Sequence, residues 1–206
     1  SGDISNIAGN LTANGTVILV NPNGIMFTST AVVNVNSLLA SGLTLTDTEM
    51  ENLTETTLGV YNNNSLSLFS GSGSVKNAGT INAVSTAILL GNTVENSKYI
   101  AANLVKLVGA DSAVVKFSTG YLGGVGLEDI AGVVGGTESQ ASVTNSGEIL
   151  GASVILDAAQ VNSLLTNVVN NSGTITANAL EVDGDSIQLV ASNNAGLIVN
   201  TGTLTA

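Results

Sequence analysis

Short apolar runs separated by turn-forming residues recur along the whole chain, and several of them alternate apolar and polar positions. Alternation with a period of two is typical of β-strands, whereas apolar stripes with helical spacing are rare here. The longest apolar stretches are far shorter than the roughly 18 residues of a membrane-spanning helix, so we expect no membrane insertion. The runs that predict strands are Thr80–Ala83, Ala87–Leu90, Leu104–Val108, Val154–Leu156, Thr174–Ala177 and Ile187–Val190.

A motif of the form Asn-x-Gly, followed by a short β-branched segment, repeats from residue 77 onward. A weaker copy without the glycine begins at Asn96, and the five asparagines are successively 19, 49, 26 and 29 residues apart. The gap of 49 residues corresponds to about two units, so the repeat lies in the solenoid range of roughly 20–30 residues. Asn-x-Gly is turn chemistry, because glycine and asparagine adopt positive φ at little cost. The full copies are at Asn77 and Gly79, Asn145 and Gly147, Asn171 and Gly173, and Asn200 and Gly202.

Short strands with turns at this rhythm predict a parallel β-helix, whose coils stack at a spacing of about 4.8 Å. Val, Ile, Leu and Ala suit its narrow core, and the repeated turn asparagines can stack as a hydrogen-bonded ladder. No linker or change in composition divides the chain, so we expect residues 1–206 to form a single domain. The alternative is a β-sandwich, which explains the strands but not the repeat.

Three segments interrupt the rhythm and are predicted to leave the solenoid as excursions. A capping box at Thr46–Glu49 predicts a short helix near residues 47–53. A glycine-rich segment farther along includes a predicted turn of helix at Glu128–Val134. An aspartate placed as an N-cap predicts a helix over Ala158–Val168, whose apolar residues fall on one face.

The composition excludes several classes of function. The 206 residues contain no His, Cys, Arg or Trp, and four lysines face 15 acidic residues, for a net charge of −11. Nucleic-acid binding requires a basic face, so we expect no nucleic-acid partner. Zinc, copper and iron–sulfur sites and Ser–His or Cys–His nucleophiles need residues that the chain lacks. We therefore expect no metal and no cofactor, and interpret the four lysines as solvated.

Three local patterns carry only weak chemical signals. Asp183-Gly184-Asp185 offers oxygen ligands for Ca²⁺, but an acidic turn is the simpler interpretation. Gly124–Asp129 resembles a dinucleotide fingerprint that lacks its third glycine. Glu128 and Asp129 are adjacent acids, which point in opposite directions on a strand and so make a poor catalytic pair. We assign no catalytic residue.

The sharpest local motif is Asn21-Pro22-Asn23-Gly24-Ile25, which lies between a predicted strand at Val17–Val20 and another that begins at Ile25. Proline presets φ at the second position of a turn, and the following Asn23 or Gly24 accepts positive φ. From its residue types alone, the motif is a tight solenoid corner.

In its setting, however, this block resembles the signature of two-partner secretion exoproteins of the filamentous haemagglutinin type. The resemblance includes Asn14-Gly15, Val17, Leu19, Asn21–Ile25 and Phe27. It covers nearly the whole chain, because it continues through the later repeat units, Ala31–Leu43 and Ala158–Gly173.

The resemblance implies a right-handed parallel β-helix, the haemagglutination-activity or TPS domain of a longer exoprotein. It also implies recognition by a partner outer-membrane transporter with periplasmic docking domains, export of the unfolded chain, and folding outside a Gram-negative cell. In the family the Asn-Pro-Asn-Gly block is tied to secretion competence, which makes Asn21, Pro22, Asn23, Gly24 and Ile25 candidate secretion-motif residues. The expected location is secreted or cell-surface, with a host-cell or glycan receptor contacted through the parent protein. Because family modules begin several dozen residues before this block, we expect the chain to be a fragment of such an N-terminal region.

Two alternatives to this secretion and adhesion module remain. One is a structural β-solenoid filament or stalk subunit, whose coils stack end to end between molecules. The other is a β-helix carbohydrate-active enzyme, since the fold alone does not decide function. A pocket that joins Lys106 or Lys116 to two carboxylates would support the enzyme.

Overall fold

The computed structural model describes residues 2–45, 65–119, 125–134, 141–159, 168–177, 186–192 and 197–206. Regular structure in these ranges consists of 21 β-strands, numbered β1 to β21 in chain order, and these ranges contain no helix. It follows that no membrane-spanning helix is found in the parts of the chain that the structure describes.

The first sheet is formed by short strands from successive passes of the chain, and every neighbouring pair in it is parallel. Its edge-to-edge order is β1 (Ser5–Ile7), β4 (Ile25–Phe27), β7 (Val75–Asn77), β9 (Thr93–Asn96), β14 (Ser142–Asn145), β17 (Val169–Asn171) and β20 (Ile198–Asn200).

The second sheet has 11 strands, which also pair in parallel. Two long strands, β5 (Val32–Ser41) and β8 (Thr80–Gly91), run through a bend and connect its two rows of short strands. One row contains β2 (Asn10–Thr12), β10 (Tyr99–Ala101), β15 (Glu148–Gly151), β18 (Thr174–Ala177) and β21 (Thr203–Thr205). The other contains β3 (Thr16–Val20), β11 (Leu104–Gly109), β16 (Ser153–Ala159) and β19 (Ser186–Ser192).

A typical pass of the chain places one strand in the first sheet and then one in each row of the second, although β5 and β8 each run through both rows and the last pass has only β20 and β21. The pass over residues 142–159 does so with β14, β15 and β16, separated by only two residues and then one. Because the strands stack in parallel and in register, like residues of successive passes lie over one another. This parallel arrangement excludes the β-sandwich alternative.

Aliphatic columns fill the space between the sheets. The register places Leu19, Ala40, Leu89, Leu107, Leu156 and Leu189 in one column. Alternation explains this column, since β14 and β16 bury every second side chain along most of their length. These columns and the inward residues of the first sheet form the main core.

A second core lies on the outer side of β3, β5, β8 and β11. It is covered by a three-stranded antiparallel sheet in the order β13 (Val125–Val134), β12 (Ser112–Thr119) and β6 (Ser65–Ser70). Phe69, Phe117 and Leu127 from this sheet pack with Leu39 of β5 and Ile88 of β8. The excursions therefore add a layer with a hydrophobic core of its own.

Two of the three predicted helices are wrong where the structure describes them. Glu128–Val134 is part of β13, and Ala158 and Ala159 end β16 rather than begin a helix. In both places the strand buries apolar side chains in the second core, as Leu127 of β13 and Ala159 of β16 show. The helix predicted near residues 47–53 and most of the segment after Ala159 lie outside the described residues.

Candidate functional site

A tight turn forms at the corner between β3 and β4, where the sequence motif lies. The amide N–H of Gly24 donates to the carbonyl of Asn21 at 2.9 Å, which closes the turn over Pro22 and Asn23. The Oδ1 atom of Asn21 accepts a second bond from the backbone N–H of Asn23 at 2.9 Å. Proline at the second turn position and asparagine at the first explain why the chain reverses here.

Asn21 also fastens this corner to the first pass of the chain. Its Nδ2 donates to the carbonyl of Asp3 at 3.0 Å and to Oγ of Ser5 at 2.9 Å. Its backbone N–H donates to the carbonyl of Ser41 on the following pass at 3.0 Å. The Asn21 side chain is thus occupied within the domain, whereas Pro22 and Asn23 are exposed at the tip.

Gly24 is the motif residue whose backbone no other residue type adopts easily. Its φ is +115°, and an added Cβ would lie 3.0 Å from the carbonyl oxygen of Ser74. Its own carbonyl accepts from the N–H of Ser5, and the adjacent Ile25 N–H donates to Ser74, both at 2.9 Å. The positive φ expected at Asn23 or Gly24 is therefore confirmed at Gly24.

Replacing Gly24 by alanine is expected to reduce the free energy of unfolding by about 1–2 kcal/mol, because an L side chain is strained at this φ. Urea unfolding followed by circular dichroism measures the change. Gly15→Ala is the matched control, since a Cβ at Gly15 meets no atom within 4 Å and its φ is not in the positive region. Equal stability of the two variants would contradict a conformational role for Gly24.

Two glycines that the sequence pattern did not single out, Gly42 and Gly73, pack against this corner. The N–H of Gly73 donates to the carbonyl of Gly42 at 3.1 Å. A Cβ on Gly73 would overlap the Gly42 carbonyl and lie 2.6 Å from the carbonyl oxygen of Pro22. At this corner the backbones of successive passes are therefore in direct contact. The two closely spaced glycines of Gly71-Ser72-Gly73 were the sequence signal for this contact.

At the carboxyl ends of the strands in the first sheet, the repeat asparagines stack as a ladder of side-chain amides. Each Nδ2 donates to the Oδ1 of the next asparagine, at 2.8 Å for the first pair and 2.7 Å for the others. The first four are at most 1% exposed. The five rungs, in order, are Asn77, Asn96, Asn145, Asn171 and Asn200.

The repeat glycines act differently from our expectation of positive φ. Among the described glycines only Gly9, Gly24 and Gly71 have positive φ. Gly147, Gly173 and Gly202 instead lie directly against the backbone of the preceding pass, where a Cβ would overlap a carbonyl group. Gly79 is similarly confined, with Thr28 and Ala31 against it. The motif needs glycine for close approach of two backbones.

Comparison with known proteins places this arrangement in a family. The model of the TPS secretion domain matches residues 1–204. The chain belongs to the TPS secretion domain family. Members are secretion domains of two-partner secretion exoproteins, which Gram-negative bacteria secrete through a dedicated outer-membrane transporter.

Two proteins of Haemophilus influenzae are similar to this TPS secretion domain. The solved structure of the HMW1 secretion domain superposes with a TM-score of 0.71 at 21% identity, covering 100% of this chain and 50% of that one. A heme/hemopexin-binding protein is 31% identical over 199 residues, which cover 88% of this chain and 21% of that protein. The chain thus spans half the length of the solved relative and about a fifth of the curated one.

The lysines of this TPS secretion domain all have partners, and the interpretation of them as solvated is wrong for Lys106, whose side chain is buried, whereas Lys76 and Lys98 are exposed. Lys76 pairs with Glu95 at 3.1 Å, and Lys98 donates to the carbonyl of Ser29 at 3.0 Å. Lys116 pairs with Glu128 at 2.7 Å, and Lys106 pairs with Asp129. The adjacent acids Glu128 and Asp129 therefore take different partners, as their positions on a strand predicted.

The pocket that would support an enzyme, one that joins a lysine to two carboxylates, is present only in part. Lys106 pairs with Asp129 and shares a cavity of about 200 Å³ with Asp157. The Lys106 side chain is only 11% exposed and its ammonium is held by Asp129, while most other lining residues are apolar. The pair joins β11 to β13 and presents no free base to a sugar.

The remaining weak signals yield no site. Residues 125–129 form part of β13, so they do not form the loop that a dinucleotide fingerprint would require, in keeping with the weak signal at Gly124–Asp129. Asp183-Gly184-Asp185 lies outside the described residues. Within the described ranges, no three acidic side chains come together as a metal site would require.

Proposed function

We propose that this chain is a non-enzymatic secretion module of a large surface-exported exoprotein. The partner transporter recognises it through its periplasmic docking domains, and the corner Asn21–Ile25 carries the recognition. The observation behind this proposal is that some residues of the motif hold the corner together while others are exposed. Asn21 and Gly24 hold the corner from inside, and Pro22 and Asn23 project from it into solvent.

The exposed Asn23 side chain is the element that we assign to the transporter. Its Nδ2 donates to Asn21 Oδ1 at 3.2 Å, whereas the shorter bonds of the turn come from the backbone N–H groups of Asn23 and Gly24. Removing the side chain therefore leaves the 2.9 Å backbone contacts in place. Binding residues concentrate on exposed turns that a rigid scaffold holds in place.

We further propose that the domain is a right-handed parallel β-helix that forms outside the cell, coil by coil. In such a solenoid each coil contacts only its neighbours, so stability accumulates as coils are added. The asparagine ladder supports this order of events, because the asparagine of each new coil accepts a hydrogen bond from the side-chain Nδ2 of the previous one. The absence of cysteine also means that no periplasmic disulfide blocks passage of the unfolded chain. Folding outside then biases transport outward.

Adhesion, and any contact with a host-cell or glycan receptor, belongs in this proposal to the parent protein rather than to these residues. The heme/hemopexin-binding relative is about five times longer than its match to this chain. The side chains that ligate haem iron most often, His and Cys, are absent here. A role as stalk or filament subunit remains the second candidate, supported by the regular stacking of coils.

Export of the parent exoprotein with Asn23→Ala tests the recognition role. We expect the amount of protein outside the cell to fall roughly tenfold, equivalent to about 1.4 kcal/mol of lost recognition. The purified variant should keep the urea midpoint of the wild type, because the turn's backbone bonds persist.

Asn103→Ala is the control for this experiment, since Asn103 is an exposed asparagine between strands β10 and β11 and lies outside the motif. It should leave export unchanged. Normal export of Asn23→Ala would make the block a plain solenoid corner and would favour the stalk.

A further inference from the structure

The chain contains two Asn-Gly dipeptides, Asn14-Gly15 and Asn23-Gly24, which lie just before and just after β3. The asparagine is exposed in both. An asparagine followed by glycine converts readily to an acid, because glycine has no side chain to shield its backbone nitrogen from the amide before it. The reaction requires that this nitrogen and the asparagine side chain move towards each other. Two identical dipeptides therefore differ in reactivity where the fold holds them differently.

The conversion consumes water, releases ammonia and needs no other reagent. In the first step the glycine backbone nitrogen forms a bond to Cγ of the asparagine and gives up its proton to solvent. The bond from Cγ to Nδ2 breaks, and ammonia leaves a cyclic imide behind. In the second step water opens the imide. Opening at Cγ gives aspartate, and opening at the main-chain carbonyl gives isoaspartate, whose backbone runs through Cγ.

Asn14-Gly15 has the freedom that this reaction needs. In the part of the chain that the structure describes, neither the side chain of Asn14 nor the backbone N–H of Gly15 makes a hydrogen bond. Both residues are exposed, and a Cβ added at Gly15 would meet no atom within 4 Å. The Gly15 carbonyl accepts from the N–H groups of Asn36 and Ser37 at 3.2 and 3.4 Å. These bonds anchor the carbonyl side of Gly15 and leave its nitrogen able to attack.

Asn23-Gly24 is held at both reacting groups. The N–H of Gly24 donates to the carbonyl of Asn21 at 2.9 Å, and Nδ2 of Asn23 donates to Oδ1 of Asn21 at 3.2 Å. The Gly24 backbone has a φ of +115° and lies against the carbonyl of Ser74. Forming the imide at Asn23 would break the bond that closes the turn. Reaction there therefore requires local opening of the corner.

We infer that Asn14 is a self-modification site, at which the folded domain converts asparagine to aspartate and isoaspartate, while the fold protects the same dipeptide at Asn23. The reacting groups are the chain's own side-chain and backbone amides, with water as co-reactant. An isoaspartate at residue 14 inserts a carbon atom and a negative charge into the backbone shortly before β3. The inference does not rest on the recognition role proposed for Asn23.

Peptide mapping of the purified 206-residue domain during incubation at mildly alkaline pH tests this inference. Pepsin digestion at acidic pH and electron-transfer fragmentation then quantify asparagine, aspartate and isoaspartate at residues 14 and 23. In the folded domain we expect Asn14 to convert at least about tenfold faster than Asn23, because Asn23 reacts only when its turn opens. In the guanidinium-unfolded chain the two rates should be similar, since each asparagine precedes a glycine.

Two variants separate the effect of the fold from that of the local sequence. Gly15→Ala places a methyl group beside the attacking nitrogen at a position with room for a Cβ. Conversion at Asn14 should then slow at least about tenfold while the domain stays folded. Asn21→Ala removes the Oδ1 that holds the Asn23 amide, so Asn23 should convert faster while Asn14 in the same sample keeps its rate. Circular dichroism confirms that each variant is folded.

Four results would overturn the inference. No conversion at Asn14 in the folded domain would show that this corner is as well protected as the other. Equal rates at Asn14 and Asn23 in the folded domain would show that the bonds of the turn protect nothing. A wild-type rate in Gly15→Ala would mean direct hydrolysis of the amide instead of imide formation. An Asn23 rate that Asn21→Ala leaves unchanged would remove the protection assigned to Asn21.

Discussion

Replacing Asn145 by alanine is expected to lower the free energy of unfolding by about 2–6 kcal/mol, since two buried polar groups each cost about 1–3 kcal/mol when left unpaired. Asn145 is fully buried in the middle of the ladder. Its Oδ1 accepts from Asn96, and its Nδ2 donates to Asn171, both at 2.7 Å. Alanine satisfies neither neighbour, and the loss is a large share of the 5–15 kcal/mol typical of a domain. Equilibrium urea unfolding of the purified domain measures it.

Asn200→Ala provides the comparison at the end of the same ladder. Asn200 is exposed, and its removal leaves only the Nδ2 of Asn171 without its ladder acceptor. That amide still contacts the carbonyl of Gly173 at 3.4 Å. We expect a loss below about 1 kcal/mol there, as for an ordinary solvent-accessible hydrogen bond. If both variants lost the same stability, the ladder would act only through local turn geometry.

Gly173→Ala is expected to cost about 3 kcal/mol or more, at or beyond the upper end of usual overpacking penalties. The new Cβ would overlap the carbonyl oxygen of Gly147, and it would lie 2.7 Å from the carbonyl carbon of Ser146. Both are backbone atoms held in parallel pairing, so neither moves as a flexible side chain does. We expect the thermal midpoint to fall and amide exchange to rise in the two coils that meet at Gly173. Scanning calorimetry and hydrogen exchange measure these effects.

Gly132→Ala is the control for the same change of residue, because a Cβ at Gly132 meets open space. Its stability should stay within about 0.5 kcal/mol of the wild type, as for most surface substitutions. A harmless Gly173→Ala would show that the coils separate easily, contrary to the close backbone contact described above.

Lys98 shows how one coil tolerates a side chain at the glycine position. In the three later repeats, both the residue after the asparagine and the following glycine donate to the carbonyl of the asparagine one coil before, as Ser172 and Gly173 do to Asn145 at 2.8 and 3.2 Å. At Lys98 only the preceding Ser97 donates in this way, to Asn77. The next bond, from Tyr99 to Gly79, lengthens to 3.3 Å. The turn has relaxed locally to accept a Cβ.

Local patterns predicted the repeating part of the fold well. Strand β18 coincides with the predicted Thr174–Ala177, and Val17–Val20 differs from β3 by one residue. These predictions succeeded because turn residues and alternation act within a few positions. The rungs of the ladder were predictable for the same reason, since equal positions in equal repeats stack.

Nonlocal pairing explains what the sequence did not reveal. Strand β12 lies between β6 and β13, and β6 pairs with it across more than 40 residues of sequence. No local pattern encodes that partner. The glycine-rich segment that leads into β13 was therefore interpreted as a loop with a turn of helix. The lysine contacts were hidden for a similar reason, because the Ser29 carbonyl that binds Lys98 lies 69 residues away. Likewise, Gly42 and Gly73 reveal their role only once two passes meet.

The side-chain amides of the ladder all point the same way, and this gives the domain a polarity along its axis. In each of the four bonds between neighbouring rungs, the Nδ2 of the earlier asparagine donates to the Oδ1 of the later one. Aligned amides polarise one another, by roughly 10–30% per bond in condensed-phase estimates. A row built from one end therefore strengthens its earlier bonds each time a member joins. Loss of a member from the row therefore becomes less favourable as the row lengthens, so a longer stack is expected to dissociate less readily than a short one.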